Sequence, residues 1–292
     1  MKLIGKKILI TGGAGFIGSH LCEELVKNNE NEVWSLDNYS TGSEENHIAG
    51  VQYIKGDTKN IEKLVNFKPH IVFHLGEYSR VEASFSDIEK VFEYNAQGTF
   101  SVLQFCRKHG SKILYAGSST KFGDGGLGKN QTPYGWTKSN NTVLVKNFNL
   151  WFGVPYAIVY FYNVYGKREI SNGKYATLIG IFINRISAGK SLTVVSPGTQ
   201  KRNFTHVDDI ISGLILVAEN GYGDNFGIGS DESFTILEIA NMFGGDVEML
   251  PERKGNRLTA DVITDKTKAL GWVSKHKVSD YIKDIKINNW KF

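Results

Sequence analysis

Cysteine and proline are scarce, at 2 and 5 of 292 residues. Cys22 and Cys106 form no CxxC pair, and both fall in stretches that read as helix. Two buried thiols in a reducing cytoplasm are therefore expected rather than a disulfide framework. Long apolar runs are missing too. The stretch from Ile210 to Ala218 reaches only half a membrane span. Lys2, Lys6 and Lys7 precede too few apolar residues before Gly12 for a secretory leader, so a soluble cytoplasmic protein with no membrane partner is expected. Charge of one sign is not concentrated either. The net charge is +4, without the dense basic cluster of a nucleic-acid binder, so no nucleic-acid partner is expected.

What is abundant is glycine, 32 residues, set between short β-branched runs and amphipathic stretches. Strands are expected at Lys7–Thr11, Glu32–Leu36, Val51–Ile54, Ile71–Leu75, Lys112–Ala116 and Tyr156–Tyr160. Helices are expected at Ser19–Lys27, Asn60–Asn66, Asp87–His109 and from Tyr134 to Trp151. This alternation predicts an α/β fold, a Rossmann-type doubly wound parallel sheet. Beyond residue 166 the pattern is less regular. Leu192–Val195, Asn225–Ile228 and Thr235–Met242 read as short elements outside the main sheet, in a smaller mixed α/β lobe. Residues 1–165 are the expected dinucleotide-binding domain, with contributions from about 200–225. Residues 166–292 are the expected substrate lobe, interleaved with it.

The first strand runs into Gly12-Gly13-Ala14-Gly15-Phe16-Ile17-Gly18. Gly12 suits the sharp turn, Gly15 a close backbone approach to a pyrophosphate, and Gly18 tight helix–strand packing. The helix N-terminus beyond them favours an anion. The next strand ends at Asp37, placed to accept the adenosine ribose hydroxyls and to repel a 2′-phosphate, which favours NAD over NADP. It opens Asp37-Asn38-Tyr39-Ser40-Thr41-Gly42, where a plain turn-capping role is the alternative. Asp57 is either a partner for the adenine amino group or a turn residue.

Among the 13 tyrosines, only Tyr134 has a lysine four residues on, Lys138, which places both on one helix face. An ammonium beside a phenol favours the phenolate, as a base for a sugar hydroxyl requires. Pro133 suits the first helical turn. The preceding strand ends in Gly117-Ser118-Ser119-Thr120, whose hydroxyls either hold a substrate oxygen or cap the turn.

With these segments in order, the chain resembles the extended short-chain dehydrogenase/reductases, the NAD-dependent nucleotide-sugar epimerase/dehydratase family, and is UDP-glucose 4-epimerase-like. Phe161-Tyr162-Asn163-Val164-Tyr165-Gly166 and Arg202-Asn203-Phe204-Thr205-His206-Val207-Asp208-Asp209 extend the likeness over nearly the whole chain. The resemblance implies NAD held by Gly12, Gly15, Phe16, Ile17, Gly18, Asp37, Asn38, Ser40, Thr41, Gly42, Asp57 and Leu75, and at its nicotinamide end by Tyr134 and Lys138. It implies Ser118, Tyr134 and Lys138 as catalytic groups, and Ser118, Ser119 and Thr120 as substrate-binding residues. Asn163 and Arg202 would hold a nucleotide-diphosphate sugar, with Arg257 as a second candidate; an ion pair of Arg202 with Asp208 or Asp209 is the other reading. It further implies a homodimer through helices Asp87–His109 and Tyr134–Trp151, and a place in polysaccharide biosynthesis.

Family dehydratases carry Asp-Glu where this chain has Ser119 and Thr120, which argues against 4,6-dehydration. Cys106 and the histidines show no context for acid/base work at C3 and C5. The reaction left is epimerisation at C4: Tyr134 takes the C4 proton, hydride passes to NAD, and the 4-keto sugar turns before hydride returns. A C4 dehydrogenase or 4-keto reductase is the alternative, and a non-catalytic NAD-sensing protein a further one. His70 and His74 lie on one strand about 13 Å apart, too far to share a metal ion, so no metal is expected. Glu77 and Arg80 depart from the family's usual small-residue loop. Their roles stay open between contacting substrate and pairing with each other.

Overall fold

The computed structural model describes residues 1–252 and 261–290. Its first half contains β1 (Lys7–Thr11), α1 (Phe16–Val26), β2 (Glu32–Asp37), β3 (Val51–Lys55), α2 (Ile61–Leu64) and β4 (Ile71–His74). Then come α3 (Ile88–Val91), α4 (Gly98–His109), β5 (Lys112–Ala116), α5 (Pro133–Phe152), β6 (Tyr156–Phe161) and β7 (Val164–Tyr165). Next are α6 (Leu178–Ser187), β8 (Leu192–Val195), β9 (Lys201–Asn203), β10 (Thr205–His206), α7 (Val207–Asn220) and β11 (Gly223–Ile228). The last elements are β12 (Ser233–Thr235), α8 (Ile236–Phe243), β13 (Val247–Leu250), α9 (Asp265–Ala269) and α10 (Val278–Ile287). None of the described helices is long and apolar enough to cross a membrane.

Seven parallel strands form the central sheet in the order β11-β6-β5-β4-β1-β2-β3. Both faces are covered, which is why β1 and β4 are nearly continuous aliphatic runs rather than alternating ones. One face buries Ile8, Ile10 and Leu114 under α1 and α7; the other buries Leu9, Val72 and Ile113 under α4 and α5. A third core, built from α6, β8, α8 and α10, makes the smaller lobe. The strand order reverses between β1 and β4. Ligands of such sheets sit there, beyond the carboxyl ends of the strands.

Two expectations need correction. Asn225–Ile228 is not outside the sheet: it belongs to β11, the seventh strand, beside β6. Positive φ at Gly223 and Asn225 and a register shift between Gly223 and Phe226 break its alternation, yet Phe226 and Ile228 are buried. The stretch Asp87–His109 is not one continuous α-helix. A π-helical turn, Phe92–Gln97, separates α3 from α4. Such a turn inserts an extra residue and re-aims its neighbours. Here it buries Asn95, whose side chain accepts from Tyr78 N at 2.7 Å and donates to Tyr78 O at 3.2 Å.

Candidate active site

A cleft of about 660 Å³ runs from the Gly12 turn along the carboxyl edge of the sheet to β9. Gly12 has φ +78°, and a Cβ on Gly18 would lie 2.0 Å from Gly12 O. Helix α1 can therefore press onto the turn only without a side chain at Gly18. Its N-cap is Gly15, with no side-chain cap and no acidic residue in the first turn, so its N–H groups stay available to an anion. Asp37 accepts from Ala14 N at 2.9 Å and Tyr39 N at 2.8 Å. Burial raises its carboxyl above the usual range against the pull of these N–H groups. Asn38 donates to Asp57 Oδ2 at 3.3 Å, while the buried Asp57 Oδ1 has no partner. An uncapped helix, a glycine cradle and an orphaned acceptor fit the adenosine diphosphate part of NAD. Phe16, Ile17, Ser40, Thr41 and Leu75 line the same stretch. Gly42 sits behind it, where a Cβ would come 3.1 Å from Ala14.

At the other end, Ser118, Tyr134 and Lys138 line the cleft together. Ser118 caps the turn after β5, accepting from Thr120 N at 3.3 Å and sharing a hydrogen bond with Thr120 Oγ1 at 2.8 Å. It caps and also faces the cleft, so the two readings of these hydroxyls coexist. Ser119 and Thr120 line the wall beside it. Thr132 accepts from Gly135 N at 2.9 Å and Pro133 starts α5, which fixes where Tyr134 and Lys138 emerge. Lys138 is buried and donates to Glu77 and to Ala116 O.

The sequence-based option that Glu77 and Arg80 pair with each other does not hold, while both line the cleft where a substrate would lie. Glu77 pairs with Lys138, not Arg80. Arg80 lines the cleft and donates to Tyr175 O at 2.8 Å and Ser79 O at 3.0 Å. Lys121, next after Thr120, donates to the Tyr160 hydroxyl at 3.2 Å and to Asp224 Oδ2 at 3.3 Å.

Asn163 and Arg202 line the cleft beyond Tyr134. Asn163 is exposed to it with φ 36°, donates to Asn203 O at 3.0 Å, and thereby links β9 to the end of β6. Arg257 lies outside the described residues. Among the described residues, His206, Asp208 and His276 offer ligand atoms within 4.8 Å of one another, but none lines the cleft. Sequence reasoning missed the polar side chains behind Lys138, chiefly Thr99 and Asn141. Asn141 lies three residues after Lys138, on the same helix face, in a polar run (Thr137, Lys138, Asn141, Thr142) that precedes Val145 and Phe148, and that was the available signal.

The sequence model of the NAD dependent epimerase/dehydratase family matches residues 8–229. The chain belongs to that family. The putative UDP-glucose 4-epimerase of Methanocaldococcus jannaschii is 30% identical over 302 residues, covering 97% of this chain and 97% of that one. UDP-glucuronic acid decarboxylase 6 of Arabidopsis thaliana is 29% identical over 94% of this chain and 86% of that protein. The crystal structure of Thermus thermophilus UDP-glucose 4-epimerase in complex with NAD superposes with a TM-score of 0.88 at 25% identity, covering 97% of this chain and 98% of that one. This family member is therefore an NAD-dependent enzyme whose relatives act as nucleotide-sugar epimerases, dehydratases and decarboxylases.

Proposed function

We propose that this enzyme is a nucleotide-diphosphate-sugar 4-epimerase with Tyr134 as its base. The observation that carries the reading is one continuous cleft. It joins the Gly12–Gly18 turn to Ser118, Tyr134 and Lys138, and then to Asn163 and Arg202. Residues 1–165, with part of 200–225, hold NAD, and residues 166–292 mainly hold the nucleotide sugar. Asn163 and Arg202 take the diphosphate, since a guanidinium matches two phosphate oxygens. Ser118 donates to the C4 oxygen. Tyr134 takes the C4 hydroxyl proton and later returns it to the same oxygen after the 4-keto sugar has turned. The chemistry that bound NAD supplies is reversible acceptance of hydride from C4. Epimerases do this without net redox change.

The cleft's carboxylates among the described residues are Asp37, Glu77 and Glu82. Asp37 sits at the adenosine end, Glu77 is committed to Lys138 and Glu82 lies in the loop after β4, while Ser119 and Thr120 themselves stand where a dehydratase carries its acid. NMR of the enzyme with UDP-, dTDP- and GDP-hexoses tests the proposal. A C4-inverted product formed without added cofactor supports it. A 4-ketone that forms only with an external hydride acceptor replaces it with the C4 dehydrogenase reading. The enzyme is further proposed to work in the cytoplasm as a homodimer through α4 and α5.

A further inference from the structure

Glu77 takes no part in the reaction proposed above, yet it is among the most heavily engaged side chains near the cleft. It lies three residues beyond β4, where the chain crosses the sheet edge. Its side chain is 3% exposed and that of Lys138 6%. A carboxylate in such a place persists only if its lone pairs are met. They are met from three elements besides the Lys138 ammonium. Thr99 Oγ1 of α4 donates at 2.9 Å, Asn141 Nδ2 of α5 at 2.9 Å and the Tyr115 hydroxyl of β5 at 3.1 Å.

Behind Thr99 stands His74, with Nε2 3.0 Å from the Thr99 hydroxyl and Nδ1 2.7 Å from that of Thr11. Burial pushes His74 down to about 4. It is therefore neutral near pH 7 and serves as a hydrogen-bond relay rather than a second cation. The carboxylate is thus anchored independently of the lysine it pairs with. Lys138 in turn is tied at two points, Glu77 and Ala116 O, with its ammonium 4.7 Å from the centre of the Tyr115 ring.

We propose that Glu77 is the positioning residue for Lys138, fixing the ammonium at the cleft wall and offsetting its charge, so that Tyr134 works beside a neutralised lysine. This rests on Tyr134 and Lys138 being the catalytic pair. The phenol interacts electrostatically with Arg80 from the loop after β4 and Tyr115 from β5, with Lys138 one turn on along α5 and Glu77 on the Lys138 ammonium. After its own burial, the Tyr134 phenol is the largest electrostatic influence on Arg80. Loss of the Glu77 charge therefore leaves two cations, Lys138 and Arg80, around Tyr134, and both favour phenolate.

The test is Glu77→Gln in the NAD-loaded enzyme, repeated after NAD is stripped. Phenolate absorbance assigned to Tyr134 by subtracting a Tyr134→Phe protein is expected to appear about 1–2 pH units lower than in the parent. The acid limb of the pH–activity profile moves with it. Glu77→Asp, which keeps the charge, restores the parent pH dependence with kcat lowered about tenfold, because the shorter arm draws the ammonium out of place. A purely structural Glu77 would move neither pH curve. Superimposed titrations of parent and Glu77→Gln overturn the proposal, as does Glu77→Asp displaced as far as Glu77→Gln. If Glu77→Gln fails to fold, a parent-like kcat in Glu77→Asp overturns it alone. The absorbance titration needs no sugar, so it stands apart from failure of the 4-epimerase reading, which the product assay decides.

Discussion

Gly18 has no room for a side chain, since an added Cβ would meet Gly12 O at 2.0 Å. Gly18→Ala must push α1 off the turn that its N–H groups share with an anion. We expect it to fold with a loss of about 1–3 kcal/mol and to purify without NAD, measured by absorbance of released nucleotide. Tyr134 lines the cleft and is only half-buried. Tyr134→Phe is expected to keep NAD and its melting temperature but to lose about 10²–10⁴-fold in kcat, read by NMR of the sugar nucleotide. Both residues were legible in the sequence because glycine spacing and the Tyr–Lys interval are local patterns. Glu77 was not, because its partner Lys138 is 61 positions away and only the folded chain joins them. Glu169 is similar. Burial raises its carboxyl to about 7, against donors that include Thr177 and Gly166 N. The folded chain thus holds a proton that the unfolded chain releases above about 4.5. The stability tied to that proton is present below about 4.5 and is lost as pH rises toward about 7. Glu169→Gln, which mimics the protonated acid, is expected to be more stable than the parent by about 3 kcal/mol at pH 8 and to come close to it near pH 4.5. Urea unfolding at the two pH values measures this, and equal gains at both would exclude the ionisation of Glu169 as the cause.

At the level of elements, strands β1 to β6 could be read from sequence because a doubly covered parallel sheet demands aliphatic runs bounded by turn residues. β11 was read as a short element but not as part of the sheet, because a one-residue bulge at Asp224 and Asn225 interrupts its apolar run, and the π turn hid because one added residue hardly changes helical spacing over a single turn. The short pairings in the lobe, β7 with β10 and β9 with β12, involve only two or three residues each, too few for any periodicity. Helix α5 shows a different limit. Its face toward the protein buries Val145 and Phe148, but Trp136, Val143 and Leu150 are 44%, 53% and 78% exposed at seven-residue spacing. Phe92 and Phe100 on the neighbouring helical run are exposed beside them, with Phe92 stacked on Trp136 at 5.5 Å. An apolar stripe of that length is costly to leave in water. Val143→Glu combined with Leu150→Glu is expected to convert a dimer into a monomer with NAD still bound. Light scattering after size exclusion would show it, and a parent protein that already runs as a monomer would remove the dimer proposal.

At the level of the whole molecule, the cleft is walled by two bodies with separate cores, the sheet and the lobe. Occupants of its two ends should therefore stabilise the chain separately. A ligand that binds only the folded form at 100 times its Kd adds about 2.7 kcal/mol. For a chain of this size that is about 4 °C in Tm. NAD is expected to produce such a rise. NADP should produce far less, because a 2′-phosphate would approach the Asp37 carboxylate, already held by Ala14 N and Tyr39 N. UDP added to the NAD-loaded protein should raise Tm again through Asn163 and Arg202. Arg202→Ala should erase that second increment and keep the first, since Arg202 sits on β9, away from the glycine turn. Thermal scans with NAD, NADP and UDP, alone and paired, separate the alternatives. Equal rises with NAD and NADP would mean that Asp37 does not face the ribose. A UDP increment that survives Arg202→Ala would move the diphosphate away from β9.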